Sequence, residues 1–227
     1  MKRTINAVPN STMAPNPVAK RMTAGEQLRA GKATWRFLQL VVGLAGYGAA
    51  LTLLVQSSLG ASSWNVLAEG LSLRTGLTFG WATNLTAVAV LLFWIPLREL
   101  PGIGTFLNVV MVGTAADVVA RFVPEPNSLA QQLLFYALGL FMLTFFDAVY
   151  LGARFGAGPR DGLMTGAVRV SGKPIWMVRT GIEVVVLSVG WFLGGTVGFG
   201  TALIAVCMGP LVQQFLRFTT VRLECDR

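Results

Sequence analysis

The chain has 227 residues, is 54% hydrophobic but only 12% charged, and has a mean hydropathy of +0.63. Soluble globular domains carry roughly twice that share of charge, so composition excludes one and points to a helical protein of the bilayer. The net charge of +8 comes without any histidine, which removes imidazole relays and the usual zinc and haem ligand sets. No basic stripe interleaved with aromatics marks a nucleic-acid surface.

Residues 1–33 are rich in Asn, Pro, Ser, Ala, Lys and Arg. They lack the continuous apolar run of a secretory signal and predict a disordered basic cytoplasmic tail. Six apolar segments follow, at about 37–56, 79–97, 103–122, 130–151, 175–194 and 198–218, each near the length that crosses a bilayer. The connections at about 57–78 and 152–174 are too polar and glycine-rich to cross, and each has room for a helix of two or three turns. This divides the chain into a tail (1–33), two membrane repeats (34–124 and 125–220) and a C-terminal tail (221–227).

With the N-terminus inside, sixteen of the eighteen Lys and Arg fall on the cytoplasmic side, among them Arg36 and Arg154. Only Arg74 and Arg121 fall outside. That asymmetry predicts cytoplasmic termini at both ends.

Displacing the chain by 96 residues aligns 37–124 with the second half without gaps, giving twenty identities in 88 positions. Gly60-Ala61 meets Gly156-Ala157, Gly76 meets Gly172, and Gly102-Ile103-Gly104-Thr105 meets Gly198-Phe199-Gly200-Thr201. Three spans per half force the second half to enter from the opposite face. The expected fold is therefore all-α, with six transmembrane helices in a 3+3 inverted repeat and two short re-entrant segments. In transporters of this kind the substrate site lies between the repeats near the midplane.

The halves differ where a site needs them to. Ser62-Ser63-Trp64-Asn65 in the first corresponds to Gly158-Pro159-Arg160-Asp161 in the second. Ser or Asn in one and Asp in the other are good N-cap residues. Two short helices would then point their N-termini inward, where unpaired N–H groups suit an anion or a carbonyl oxygen. Arg160 adds a full charge, with Asp161 as its partner or as the cap. The pair equally suits a structural lock, with the arginine reaching the surface. Gly158, Gly162 and Gly166 share one helix face, explained by close packing at least as well as by ligand access.

Asp117, Asp147, Arg179 and Glu183 fall within or near apolar runs. Arg179 and Glu183 are four apart and can pair on one helix face. Glu183 reads as the deepest acid, whereas Asp117 and Asp147 read as near the interface. If proton or ion coupling exists, these three carboxylates are its candidates. Gly190, Gly194 and Gly198 form a second glycine ladder with the spacing of a packing seam. Thr105 or Thr201 can cap the helix that follows each GxGT, and Gly209-Pro210 should kink the last span. Cys207 and Cys225 show no disulfide or metal pattern. No nucleophile–base set, phosphate loop or metal cluster emerges, so neither an enzyme nor a cofactor is expected.

At Gly156-Ala157-Gly158-Pro159-Arg160-Asp161-Gly162-Leu163-Met164, the chain resembles the YczE/YyaS/YitT-like group of bacterial integral membrane proteins. Arg179, Glu183, Gly190-Trp191-Phe192-Leu193-Gly194-Gly195, Gly198-Phe199-Gly200-Thr201 and Gly209-Pro210 also fit, as do Leu59-Gly60 and Trp64-Asn65. The resemblance covers about 40–215 and departs at Ser62-Ser63, where Ser-Pro is expected. It implies a multi-span protein of the cytoplasmic (inner) membrane and supplies no substrate.

The leading expectation is a small-molecule permease or substrate-binding membrane subunit. Its site would be built from Trp64, Asn65, Gly158, Arg160, Asp161 and Arg179, with Glu183, Asp147 and Asp117 available for coupling. The ligand would carry an anionic or carbonyl group, and the small size of the chain suits a homodimer or an energising partner. The alternative is a non-transporting membrane scaffold or regulator of a partner protein.

Overall fold

The structure is a computed structural model that describes Gly25, Gln27, residues 31–221 and Leu223. Most of the expected basic tail, and Arg222 and residues 224–227 of the C-terminal tail, lie outside the described residues. Eight helices of the described residues carry the fold: α1 (Ala33–Gln56), α2 (Ser63–Thr75), α3 (Phe79–Leu97), α4 (Ile103–Ala120), α5 (Leu129–Gly152), α6 (Pro159–Ser171), α7 (Ile175–Phe192) and α8 (Phe199–Thr219). No strand occurs among the described residues.

Six of these helices, α1, α3, α4, α5, α7 and α8, are long and apolar enough to cross a membrane. The other two, α2 and α6, have 13 residues each. At 1.5 Å per residue that is about 20 Å, short of a ~30 Å hydrocarbon core. Local sequence sets the helix limits. The hydroxyls of Thr78 and Ser128 accept the N–H groups of Trp81 and Gln131, capping α3 and α5. Gly102 and Gly198 open α4 and α8, and the Thr105 and Thr201 hydroxyls reach back to accept their N–H groups at 3.1 and 3.3 Å. Each GxGT threonine thus closes its helix start from the third helical position rather than as the cap. Gly76 and Gly172 end α2 and α6 in the left-handed conformation that glycine adopts without strain.

The 96-residue period reappears in the backbone. Displaced by it, α1 falls on α5 and α2 on α6, with α3 and α4 starting where α7 and α8 start. The positive-φ positions repeat with it: Ser58 and Arg154, Gly60 and Gly156, Gly76 and Gly172, Arg98 and Gly194.

Contacts between the halves are crossed in the same register. The Gly104 N–H donates to the Phe155 carbonyl, and the Gly200 N–H donates to the Leu59 carbonyl, both at 2.8 Å. Phe155 and Leu59 occupy equivalent positions, as do Gly104 and Gly200. Each break in one half is therefore received by the start of the last helix in the other.

The central pair is α1 and α5, with α4 packed on α1 and α8 on α5. Leu40, Leu44, Leu51, Leu54 and Leu143 are almost completely buried there. Gly43 brings α1 against the Tyr150 backbone, and Gly48 brings it against the Val112 carbonyl. Arg36, read from the sequence as a tail charge, is instead 0% exposed. It sits in the first turn of α1 and donates to the carbonyls of Ala153 and Arg154 at 2.9 and 3.0 Å, with its guanidinium over the Phe155 ring. Those carbonyls lie just past α5, where the helix can no longer satisfy them.

The short helices cross to the opposite half. α2 lies on α7 and α6 on α3. A Cβ on Gly162 would strike the Trp94 ring, and one on Gly190 would strike the backbone of Leu67. The glycine strips of α6 and α7 are thus packing seams, although Gly194 faces almost open space.

The symmetry fails at one place. α3 and α4 are pressed together with Gly80 against the Gly113 carbonyl, whereas α7 and α8 share no comparable seam. Only Gly190 of the 18 residues of α7 is buried.

Gly162→Val should lower apparent stability in detergent by about 1–3 kcal/mol, because the strip has no room for the side chain. Gly181→Ala, where a Cβ meets nothing, should not lower it. Thermal unfolding of the two purified variants beside the wild type checks this.

Candidate functional site

The seam missing between α7 and α8 leaves an open-mouthed cavity of about 120 Å³. Parts of both halves line it. The N-terminal turns of α2 and α6 contribute Ser62, Ser63 and Trp64 on one side and Gly158, Pro159, Arg160 and Asp161 on the other.

These two turns hold equivalent positions in the repeat, and they meet. The Arg160 guanidinium lies over the Trp64 ring, 5.3 Å from its centroid, a cation–π distance. Arg160 has no hydrogen bond or ion pair among the described residues, so its donors remain available to the cavity.

α6 is placed by three contacts. Trp94 Nε1 donates to the Pro159 carbonyl at 2.9 Å, inside the protein. At its far end, Arg169 pairs with Glu99 at 3.1 Å and donates to the Leu97 carbonyl. At its start the N-cap is Gly158, not Asp161. Asp161 sits in the first turn and takes a hydrogen bond from the Tyr150 hydroxyl at 3.3 Å. The cap is glycine because Tyr150 approaches too closely for a side chain there. In α2 the N-cap is Ser62, whose side chain makes no capping hydrogen bond. α2 is anchored at its middle, where Glu69 accepts from the Thr196 N–H and hydroxyl, both at 2.8 Å.

Of the residues singled out from the sequence, Trp64, Gly158, Arg160, Asp161, Arg179, Glu183 and Asp147 all line this cavity. Arg179 and Glu183 form the expected pair, 3.0 Å apart, with side chains 44% and 33% exposed. Glu183 is therefore not the most buried acid. That place belongs to Asp147, 7% exposed on α5. A carboxylate reads as shallow when it lies close to a span's end in sequence, but α5 carries it beneath the polar start of α6.

Two candidates stand outside the cavity. Asn65 is 0% exposed, and its side-chain oxygen and nitrogen have no partner. Asp117 accepts from the Thr78 hydroxyl and from the Gly80 N–H at 2.8 Å, fastening the start of α3 to α4. Sequence reasoning missed Tyr47, Tyr150, Asn84 and Asn108, which line the cavity from α1, α5, α3 and α4. A polar residue set at one end of a 96-residue displacement and an apolar one at the other was the available signal for Tyr150 and Asn108.

Comparison with known proteins follows the same boundaries. Residues 34–217 match the family described as a family of unknown function, DUF6198. The chain belongs to that family. It is 33% identical over 216 residues to an uncharacterized protein of Haemophilus influenzae, covering 95% of this chain and 94% of that one. It is 31% identical to the uncharacterized membrane protein YczE of Bacillus subtilis, over 79% of this chain and 83% of that one. The uncharacterized protein YyaS of the same organism is 26% identical, over 78% and 90%. These relatives agree with the family resemblance read from the sequence, and with six apolar spans they identify a membrane protein. No solved structure matches.

Asp117→Asn should weaken the attachment of α3 to α4, lowering stability by about 1.5–3 kcal/mol if a charged hydrogen bond is lost. It should leave the Arg179–Glu183 pair and the cavity lining in place, since Asp117 stands outside them. Melting curves and a structure of the variant separate the two effects.

Proposed function

We propose that the protein is a small-molecule permease, or the substrate-binding membrane subunit of one, with its site in the cavity between the halves. The observation that carries this reading is the Arg160 guanidinium. It faces a cavity between two helix N-termini, stacked on Trp64 but without an acceptor. A partly buried cation with unused donors favours a ligand carboxylate, phosphate or carbonyl oxygen, where charge-assisted hydrogen bonds form. The N–H groups at the starts of α2 and α6 add to the same preference, and Trp64 offers an apolar face.

The proposed topology is an inverted repeat in the bacterial cytoplasmic membrane, with both termini inside. The 96-residue recurrence of helices and the crossed hydrogen bonds of Gly104 and Gly200 support it. Movement would rock α7 and its neighbours against the α3–α4 pair, opening the cavity to alternate faces. In this reading the protein binds and moves a ligand without chemical conversion.

A second reading, a scaffold or regulator of a partner, draws on α7, which buries only Gly190 and leaves a whole helix face open to a second chain. A second copy or an energising partner would sit there in the permease reading too.

Thermal unfolding in detergent against anionic, zwitterionic, cationic and neutral metabolites tests the first reading. A ligand bound only by the folded state raises stability by ~2.7 kcal/mol at a hundredfold excess over its dissociation constant. The expected result is a shift with carboxylate- or phosphate-bearing compounds that Arg160→Ala abolishes while remaining folded. No shift across the panel, with Arg160→Ala merely less stable, would sink it.

A further inference from the structure

We propose that Asp147, Asp161 and Tyr150 form a cation site that holds one proton in the empty cavity and exchanges it for a ligand's ammonium group. This rests on the reading of the cavity as a ligand site and extends it to the chemical class of the ligand: an amine, paired with the anionic or carbonyl group that Arg160 takes.

The geometry begins with Tyr150. Its hydroxyl donates to Asp161 at 3.3 Å, and Asp147 lies one turn before it on the same helix, so carboxyl groups from two helices flank one phenol. All three residues line the cavity. Tyr47 stands beside them, its ring edge-on to Tyr150 with centroids 5.9 Å apart. Tyr47 is 7% exposed and lines the same cavity, and its hydroxyl has no hydrogen-bond partner among the described residues. This side chain is more than nine-tenths buried, yet its hydroxyl opens to the acidic cavity without such a partner, which leaves it free for a ligand group.

Charge supplies the sign. The ionisable groups around this point are Tyr47 on α1, Asp147 and Tyr150 on α5, Arg160 and Asp161 on α6, and Arg179 and Glu183 on α7. Arg179 is already engaged by Glu183 at 3.0 Å. That leaves one guanidinium, on Arg160, against two carboxyls. Two carboxylates facing one cation in a partly enclosed cavity leave an uncompensated negative charge, which burial makes costly. Like charges sharing a site disfavour double ionisation, so the pair retains a proton.

An arriving ammonium removes the need for that proton. The exchange balances: a neutral carboxylic acid and an aqueous ammonium become a carboxylate–ammonium pair and an aqueous proton. The Tyr47 hydroxyl then accepts from the ammonium, and the faces of Tyr47 and Tyr150 favour a cation. Arg160 and Asp161 both line the cavity from the first turn of α6, so one compact ligand, such as an α-amino acid or another small zwitterion, can reach both.

Infrared difference spectroscopy of the full-length protein in bilayers reads the proton without any ligand. At neutral pH the wild type should show a protonated carboxyl C=O band that fades on raising the pH. Asp147→Asn and Asp161→Asn should each lose it, since the remaining acid then faces Arg160 alone, and Glu125→Gln on the surface should keep it. The fold already accommodates Asn at the position equivalent to Asp161, as Asn65, and melting curves verify that the variants are folded. Methylammonium, the smallest amine probe, should then diminish the wild-type band and acidify a weakly buffered suspension, whereas equal sodium should not.

Absence of the band in wild type, its survival in both Asp variants, or its indifference to methylammonium would each overturn the proposal. None of these readouts depends on Arg160-dependent ligand binding, so a failure here is distinct from failure of the permease reading.

Discussion

A backbone that breaks inside a membrane protein must find hydrogen-bond partners within the protein, because lipid supplies none. In this chain the breaks after α1 and α5 are satisfied largely by the opposite half. The carbonyls of Leu59 and Phe155 take the N–H groups of Gly200 and Gly104. The carbonyls of Ala153 and Arg154 take Arg36, Ala157 takes the Thr105 hydroxyl, and Pro159 takes Trp94. Neither half can close without the other. The starts of α2 and α6 are consequently fixed opposite one another, and Arg160 and Trp64 meet because they are equivalent residues on either side of that closure.

The same requirement explains the glycines. A carbonyl can be reached across helices only where backbones approach to within side-chain distance. Gly190, Gly195 and Gly198 bring the second half onto Val66, Leu67 and Leu59, and Gly102 and Gly104 bring the first half onto Phe155. The seam pressing α3 onto α4 relies on Gly80 and Gly113 together. At the equivalent positions the second half has Trp176 and Gly209, and no seam forms between α7 and α8. One substitution within a repeated pair thus converts a packed interface into the wall of a cavity.

Much of this architecture is legible in the sequence because its signals are local or periodic. Apolar run length locates six spans within a few residues, and the unlike polarity of 57–78 and 152–174 isolates the two short helices. The 96-residue displacement finds the duplication through glycines whose positive φ the structure then repeats. What escaped is what depends on depth. Arg36 looks like one more tail charge, yet it is folded inward onto carbonyls 117 and 118 residues away. Asp147 looks interfacial by its place in the run, and Asp117 looks like a pathway acid although it holds a helix start. Nothing in the spacing of charges along a helix tells how far a neighbouring broken segment will cover them.

The 96-residue correspondence also shows why the polar side chains of the described residues gather on one side. Asp147, Tyr150 and Tyr47 correspond, at 96 residues' displacement, to Leu51, Leu54 and Leu143, which are 0% exposed. The second place is filled with aliphatic side chains and serves as core. A symmetric pair of sites would bury twice the charge beneath the same few helices, and unpaired buried charge is among the costliest features a fold can carry. Asn65 marks the boundary between the two solutions. It holds the position of Asp161 on the apolar side, retaining the acid's shape without its charge, and its amide is buried without a partner. The polar set thus lies on one side only, where α7 stands off from α8 and gives it access.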